Sequence, residues 1–161
     1  MDAPAAKDKE LRMSYRIGRG EQGVLSFEPY KSALLPLWRF KNPTVARESS
    51  KSLHEQFLRY NSQDDFVGMD MCRKFIQMGM TRAKRYANHK GGRKYDKVSG
   101  KELEKKDHTG RQEKEESSAI FREMWERCKA HEGYTSKKEE FLKEQKGWHK
   151  ERKTSTRNSK V

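Results

Sequence analysis

Asp64-Asp-Phe-Val-Gly-Met-Asp-Met-Cys-Arg-Lys-Phe-Ile-Gln-Met-Gly-Met-Thr-Arg-Ala-Lys-Arg-Tyr-Ala-Asn88 is the stretch whose periodicity decides the fold. Set at 100° per residue with Asp70 at zero, Asp70, Arg73, Lys74, Gln77, Thr81, Lys84, Arg85 and Asn88 fall within about 60° of one meridian. Met71, Cys72, Phe75, Ile76, Met78, Gly79, Met80, Ala83 and Tyr86 fill the remaining arc. An apolar arc that wide needs neighbours on several sides, so residues 64–88 read as the central helix of a domain. Asp64 and Asp65 suit its positive N-terminal end. Arg82 is the exception, a cation inside the apolar arc; it serves either an internal salt bridge, the plainer reading, or a bound anion.

Working outward, Asn42-Pro43 is an N-cap residue followed by proline at the first helical position. Val45, Ser49, Leu53, Phe57 and Tyr60 then recur at helical spacing. A third helix is expected over about residues 113–131, carrying Ile120, Phe121, Met124, Trp125 and Cys128, with Gly133-Tyr134 ending it. Thr135-Ser136 with Glu139 resembles a capping box and opens a fourth. Toward the N-terminus, Tyr15–Ile17 and Val24–Phe27 read as short strand-like pieces around Gly18-Arg-Gly-Glu-Gln-Gly23. That glycine spacing matches the dinucleotide fingerprint, which needs a helix opening at it. The following residues read as extended, so a tight turn is the plainer account, with Arg19 placed to approach an anion.

The fold expected is mainly α: about four helices around the central one, with a small N-terminal β-hairpin-like element. Residues 1–13 read as a disordered arm, 14–149 as a single compact domain with a charged mobile loop at 97–116, and 150–161 as a disordered tail. The hydrophobic fraction of the 161 residues is only 32%, against roughly 45–50% in globular chains, which limits the core. No apolar run approaches the ~18 residues of a spanning helix, and Met1–Lys9 has no apolar leader segment, so an intracellular protein without membrane insertion is expected. Cys72 and Cys128 lie in helical segments and indicate no disulfide framework.

Lys and Arg number 37 against 24 Asp and Glu, a formal charge of +13. The surplus is concentrated: residues 70–101 hold ten Lys or Arg and two Asp. Lys84, Arg85, Lys90, Arg93 and Lys94 are interleaved there with Tyr86, His89 and Tyr95. Cations along a helix and a Gly-Gly loop meet successive phosphates while rings stack on bases, so nucleic acid is the leading partner. The bland alternative is a solvated helix end whose cations favour the negative terminus.

Other chemistries find less support. Cys128-Lys-Ala-His131 has ligand-like spacing, but a structural zinc site takes two close pairs, so neither metal nor cofactor is expected. Cys72 on an apolar face is a poor nucleophile, and the histidines form no constellation with Ser or Asp. No reaction is indicated, and an enzyme is not the favoured class. A small phosphorylated ligand held by Arg19, Arg82 and His89 is the second reading. An acidic protein reading the basic face, with Phe66 and Val67 as apolar anchors, is the third.

Tyr15-Arg-Ile-Gly-Arg-Gly-Glu-Gln-Gly-Val24, Pro29-Tyr-Lys31, Leu35-Pro36 with Trp38-Arg-Phe40, Asp65-Phe-Val-Gly-Met-Asp70 and Arg85-Tyr-Ala-Asn-His-Lys-Gly-Gly-Arg-Lys-Tyr95 together carry a resemblance. Over about residues 14–149 the chain resembles an uncharacterised family of bacteria, phages and some eukaryotes, domain of unknown function 4385. The resemblance implies one compact domain and brings no activity, ligand or catalytic residues with it.

Overall fold

The computed structural model describes residues 2–18, 20–104 and 108–159, with side chains to residue 155. Four long helices carry the fold: α5 (Pro43–Ser62), α6 (Phe66–Asn88), α7 (Arg111–Ala130) and α8 (Glu132–Ser159). Four short ones precede them: α1 (Pro4–Lys7), α2 (Lys9–Ser14), α3 (Gly20–Val24) and α4 (Tyr30–Leu34).

Local chemistry sets the starts of α5 and α6. Asn42 accepts from the Val45 N–H at 2.9 Å with Pro43 following, and Asp65 accepts from the Gly68 N–H at 3.0 Å, each satisfying a donor that the helix leaves open. α5, α6 and α7 pack against one another, and α8 lies against α6, α7 and α2. Leu53 and Phe57 of α5, Met69, Met71, Phe75 and Ile76 of α6, and Phe121 of α7 are fully buried. Gly79 lets α6 and α7 meet closely: a Cβ there would stand 2.7 Å from the Phe121 ring. Ser49 fits the α5 stripe because its hydroxyl donates to Leu37 O at 2.7 Å and accepts from the Arg39 N–H at 2.9 Å, pinning the Pro36 segment.

The expected β-hairpin is absent. Among the described residues there is no strand, only a single bridge between Tyr95 and Glu102. Tyr15 is extended, but it caps α2 and is buried edge-on against Phe27 at 5.0 Å. Val24 ends α3 instead of opening a strand. Pieces of three or four residues do not distinguish a strand from a helical turn, and tertiary burial decided here.

Further boundaries differ. In the stretch 1–13 expected as an arm, Pro4–Lys7 is helical and Lys9 opens a second short helix, and Ala3, Ala5 and Met13 are buried. α7 opens at Arg111, inside the expected loop. α8 opens at Glu132, so Gly133 and Tyr134 lie in its first turn, and it continues to Ser159 through the expected tail. The His131 ring nitrogen accepts from the Tyr134 N–H at 3.3 Å, serving the helix start that Thr135-Ser136 were expected to serve.

Candidate anion-binding groove

Along α6 the polar meridian divides into a covered half and an open half. In the first half, Asp70 is wholly buried; its carboxylate accepts from Tyr15 Oη at 2.5 Å, Tyr134 Oη at 2.7 Å and Arg73 Nε at 2.8 Å. One carboxylate thus ties the segment after α2, α6 and α8 together. Burial, and then the Asp70 charge, pushes both tyrosine pKa values upward, so the hydroxyls stay protonated and donate. Arg73 also donates from Nη1 to Gln77 Oε1 at 3.1 Å. Lys74, 5% exposed, donates to Arg16 O at 3.4 Å and lies 5.4 Å from the Tyr15 ring centre.

From Thr81 onward α6 is open, and three adjoining hollows follow its surface. The first, about 500 Å³, lies between the turn at Gly18 and Gly20 and the α6 residues Arg73, Lys74, Gln77 and Thr81. The second, about 420 Å³, shares Glu21 and Thr81 with it and adds Arg82, Lys84, Arg85, His89 and Lys94. The third, about 710 Å³, shares Asn88, His89 and Glu102 with the second and adds Lys90, Arg93 and His108. The result is a groove lined on α6 and on the segment after it.

The residues singled out from sequence fare unevenly. Arg85, Lys90 and Arg93 are exposed, and none pairs with a carboxylate among the described residues. Arg85 Nε donates to Gly92 O at 2.5 Å, holding the turn that ends α6. Lys84 pairs with Glu115 at 3.1 Å and Lys94 with Glu102 at 3.9 Å, exposed pairs that leave most of the positive field available. Tyr95 is 52% exposed and Lys94 lies 5.6 Å from its ring centre.

Tyr86 and His89 depart from expectation. Tyr86 packs on Phe40 at 6.0 Å, and a Cβ on Gly92 would stand 2.8 Å from its ring, so this ring is packed and not a stacking platform. His89 is 7% exposed and shapes the end of α6 through its backbone, with its N–H on Arg85 O and its carbonyl accepting from Gly92. Arg82 donates to the Glu21 carboxylate from Nη2 at 3.0 Å and Nε at 3.4 Å, the internal pairing. The same hydrogen bond raises its pKa further. Arg82 and His89 do line one hollow; Arg19 lies outside the described residues. Phe66 and Val67 are buried and offer no exposed anchor.

The glycine fingerprint also resolves. α3 opens at Gly20, inside the glycine stretch expected as a tight turn, but it is five residues long and no strand precedes it among the described residues. Gly18 and Gly20 both hold φ of 80°, the conformation a tight turn asks of glycine. Cys72 and Cys128 are buried free thiols, and desolvation pushes Cys128 up to about 12. Among the described residues no three His, Cys, Asp or Glu side chains gather as a metal would need, and no helix is long and apolar enough to cross a membrane.

Sequence reading missed the Asp70 tie and a second one at the N-terminus. There Arg12 grips Glu144 with two bonds of 2.7 and 2.9 Å, and Gln145 Nε2 donates to Met13 O and Tyr15 O. The one available signal was Asp70 standing a turn before Arg73 on the same face.

No curated protein and no solved structure matches the chain. A family model does, and it spans residues 1–144, from the N-terminal helices through Glu144. The chain therefore belongs to the family described as a domain of unknown function, DUF4385.

Proposed function

We infer that the open half of the α6 groove binds nucleic acid through its phosphates. The observation that carries this reading is the line of Lys84, Arg85, Lys94, Lys90 and Arg93 along two hollows that share a wall. Side chains in such a line meet successive phosphates of one strand, which positions a polyanion without reading its bases. Tyr95, exposed beside Lys94, is the ring available for stacking. Glu102 and Glu104 on the far wall keep the groove from being uniformly positive. They favour a narrow strand seated against α6 over one lying across both walls.

Fluorescence anisotropy with labelled single- and double-stranded DNA and RNA across a salt series tests this. The comparison is with the quadruple change of Arg85, Lys90, Arg93 and Lys94 to Ala. Binding is expected to weaken linearly in log salt, with a slope shallower by roughly 3 in the variant, since each phosphate contact contributes about 0.7–0.9. Failure of all four nucleic acids to bind at low salt would exclude the reading.

The small-ligand reading has one observation of its own, Arg82 and His89 in a common hollow. Arg82 is held there by Glu21, so a ligand in that hollow must compete with an existing pair. Ribose 5-phosphate bound by the wild type and lost in Arg82→Met would favour it over the nucleic-acid reading.

A further inference from the structure

Three side chains border both the second and the third hollow: Asn88 in the last turn of α6, His89 just beyond it, and Glu102. Their hydrogen-bonding capacity is unused. His89 is 7% exposed, and neither its ring nor the Asn88 amide has a partner among the described residues. The Glu102 carboxylate pairs with Lys94 at 3.9 Å, which is too long for a hydrogen bond. Other polar side chains of the second hollow are committed: Glu21 to Arg82, Lys84 to Glu115, Arg85 to Gly92 O and Thr81 to Met78 O. A buried polar ring without a partner is costly, and this one stands in the wall of a hollow with room for one.

The interior of that hollow does not suit phosphate. Two carboxylates, Glu21 and Glu102, line it, and an anion among them meets like charge. The cations Lys84 and Arg85 are exposed on α6, where phosphates reach them without entering. What the interior suits is a neutral group with donors and acceptors side by side. A carboxylate only accepts, whereas an amide and a neutral imidazole both donate and accept. A nucleobase edge has this pattern, and its exocyclic amino group gives the carboxylate a donor. At about 420 Å³ the hollow lies within the range of small-molecule sites. Its two sides are also fixed by backbone: Asn88 by α6, and Glu102 by its bridge to Tyr95, with the Leu103 N–H on Lys94 O at 2.8 Å.

We propose that this hollow is a base-reading pocket of the nucleic-acid groove: it takes one base of the bound strand that carries an exocyclic amino group, with Glu102 accepting from that group and Asn88 and His89 bonding the rest of the edge. The pocket rests on the phosphate-binding reading above and adds to it a preference that phosphate contacts do not supply. Adenine, cytosine and guanine have the amino group; thymine and uracil lack it.

Fluorescence anisotropy tests this with short labelled single strands of thymidine, and of uridine for RNA. In companion strands the central residue is adenine, cytosine, guanine or an abasic site. A flexible strand shifts its register, so its one amino-bearing base finds the hollow. At least one amino-bearing strand is expected to bind at least about tenfold tighter than the homopolymer and the abasic strand, and the tightest names the base. Glu102→Gln replaces the acceptor with an amide and should bring that strand within about twofold of the homopolymer, without weakening the homopolymer itself. Asn88→Ala should do the same, and should it fail to fold by circular dichroism, Glu102→Gln decides. Changing Lys90 and Arg93 to Ala, both outside this hollow, should weaken every strand and keep the preference. Absence of binding by any strand at low salt overturns the groove and the pocket together. Equal binding of all strands, or a preference that survives Glu102→Gln, overturns the pocket alone and leaves the phosphate groove standing.

Discussion

Asp70 stands at zero exposure with three donors converging on it from three parts of the chain. Removing such a carboxylate leaves Arg73 buried beside two hydroxyls that have lost their acceptor, and breaking one side of a buried pair costs about 3–5 kcal/mol. Asp70→Ala is therefore expected to lower the unfolding free energy read from urea denaturation by that amount, and Tm by on the order of 10 °C. Tyr134→Phe removes one hydrogen bond to a charged group and should cost about 1.5–3 kcal/mol. Equal losses in the two variants, or a loss below about 1 kcal/mol for Asp70→Ala, would show that the tie does not hold the fold together. The tyrosines add a pH dependence. Their raised pKa values mean that the folded state keeps protons the unfolded chain releases, so their contribution is complete below the ordinary tyrosine pKa and declines as pH rises through it. Alkaline unfolding followed by tyrosine absorbance should show ionisation and loss of helix together, and Tyr134→Phe should begin to unfold at lower stability.

Two contacts between elements carry expectations of another kind. At the α6–α7 crossing, Gly79→Ala places a methyl 2.7 Å from the Phe121 ring. Alanine gains about 0.5–1 kcal/mol in a helix, but overpacking a close crossing costs about 1–3 kcal/mol, so a net loss is expected in thermal denaturation, and a gain would show that the helices can part. Between α2 and α8, the Arg12 hydrogen bonds hold the Glu144 pKa below the ordinary carboxylate range. A depressed folded-state value means stability present above the unfolded pKa and lost as pH falls through the folded one. Glu144→Gln should be less stable than wild type at neutral pH, and the gap should narrow between about pH 5 and about pH 3; a constant gap would show a contact that is only steric. These elements also show where sequence sufficed. α5 and α6 were legible because Asn42-Pro43 and Asp65 are local signals, complete within one turn. The start of α8 was not, because Gly133 resembles a stop and the reason Tyr134 sits in a helix is a carboxylate 64 residues away in the chain. Tyr86 was read as a stacking group because its partner Phe40 is 46 residues away in the chain, so the packing that covers its ring is tertiary. The exposure of Arg85, Lys90 and Arg93 was legible, since they stand in a short polar stretch rich in cations, which is visible in the sequence itself.

Across the whole molecule, stability and charge occupy different places. The buried ties run from Ala5 to Gln145, whereas α8 beyond Trp148 is exposed as far as its side chains are described. Among the described residues its outer contacts include an exposed Arg152–Glu10 pair at 3.3 Å and the stacking of Arg152 on Trp148 at 4.2 Å, each worth roughly 0–1 kcal/mol. A chain ending at Lys150 should therefore keep its helical circular dichroism per residue in the remaining body and lose no more than about 4 °C in Tm. The deleted residues hold four Lys or Arg and one Glu, so the cut removes charge while every residue described as lining the groove stays in place. If the groove binds strands through local phosphate contacts, the salt slope of that truncated chain should match wild type within about 1, because distant charges are screened over roughly 10 Å at 0.1 M salt. A slope that falls by 2 or more would instead make the end of α8 part of the contact surface, and would extend the strand's path from the α6 groove to the opposite end of the chain.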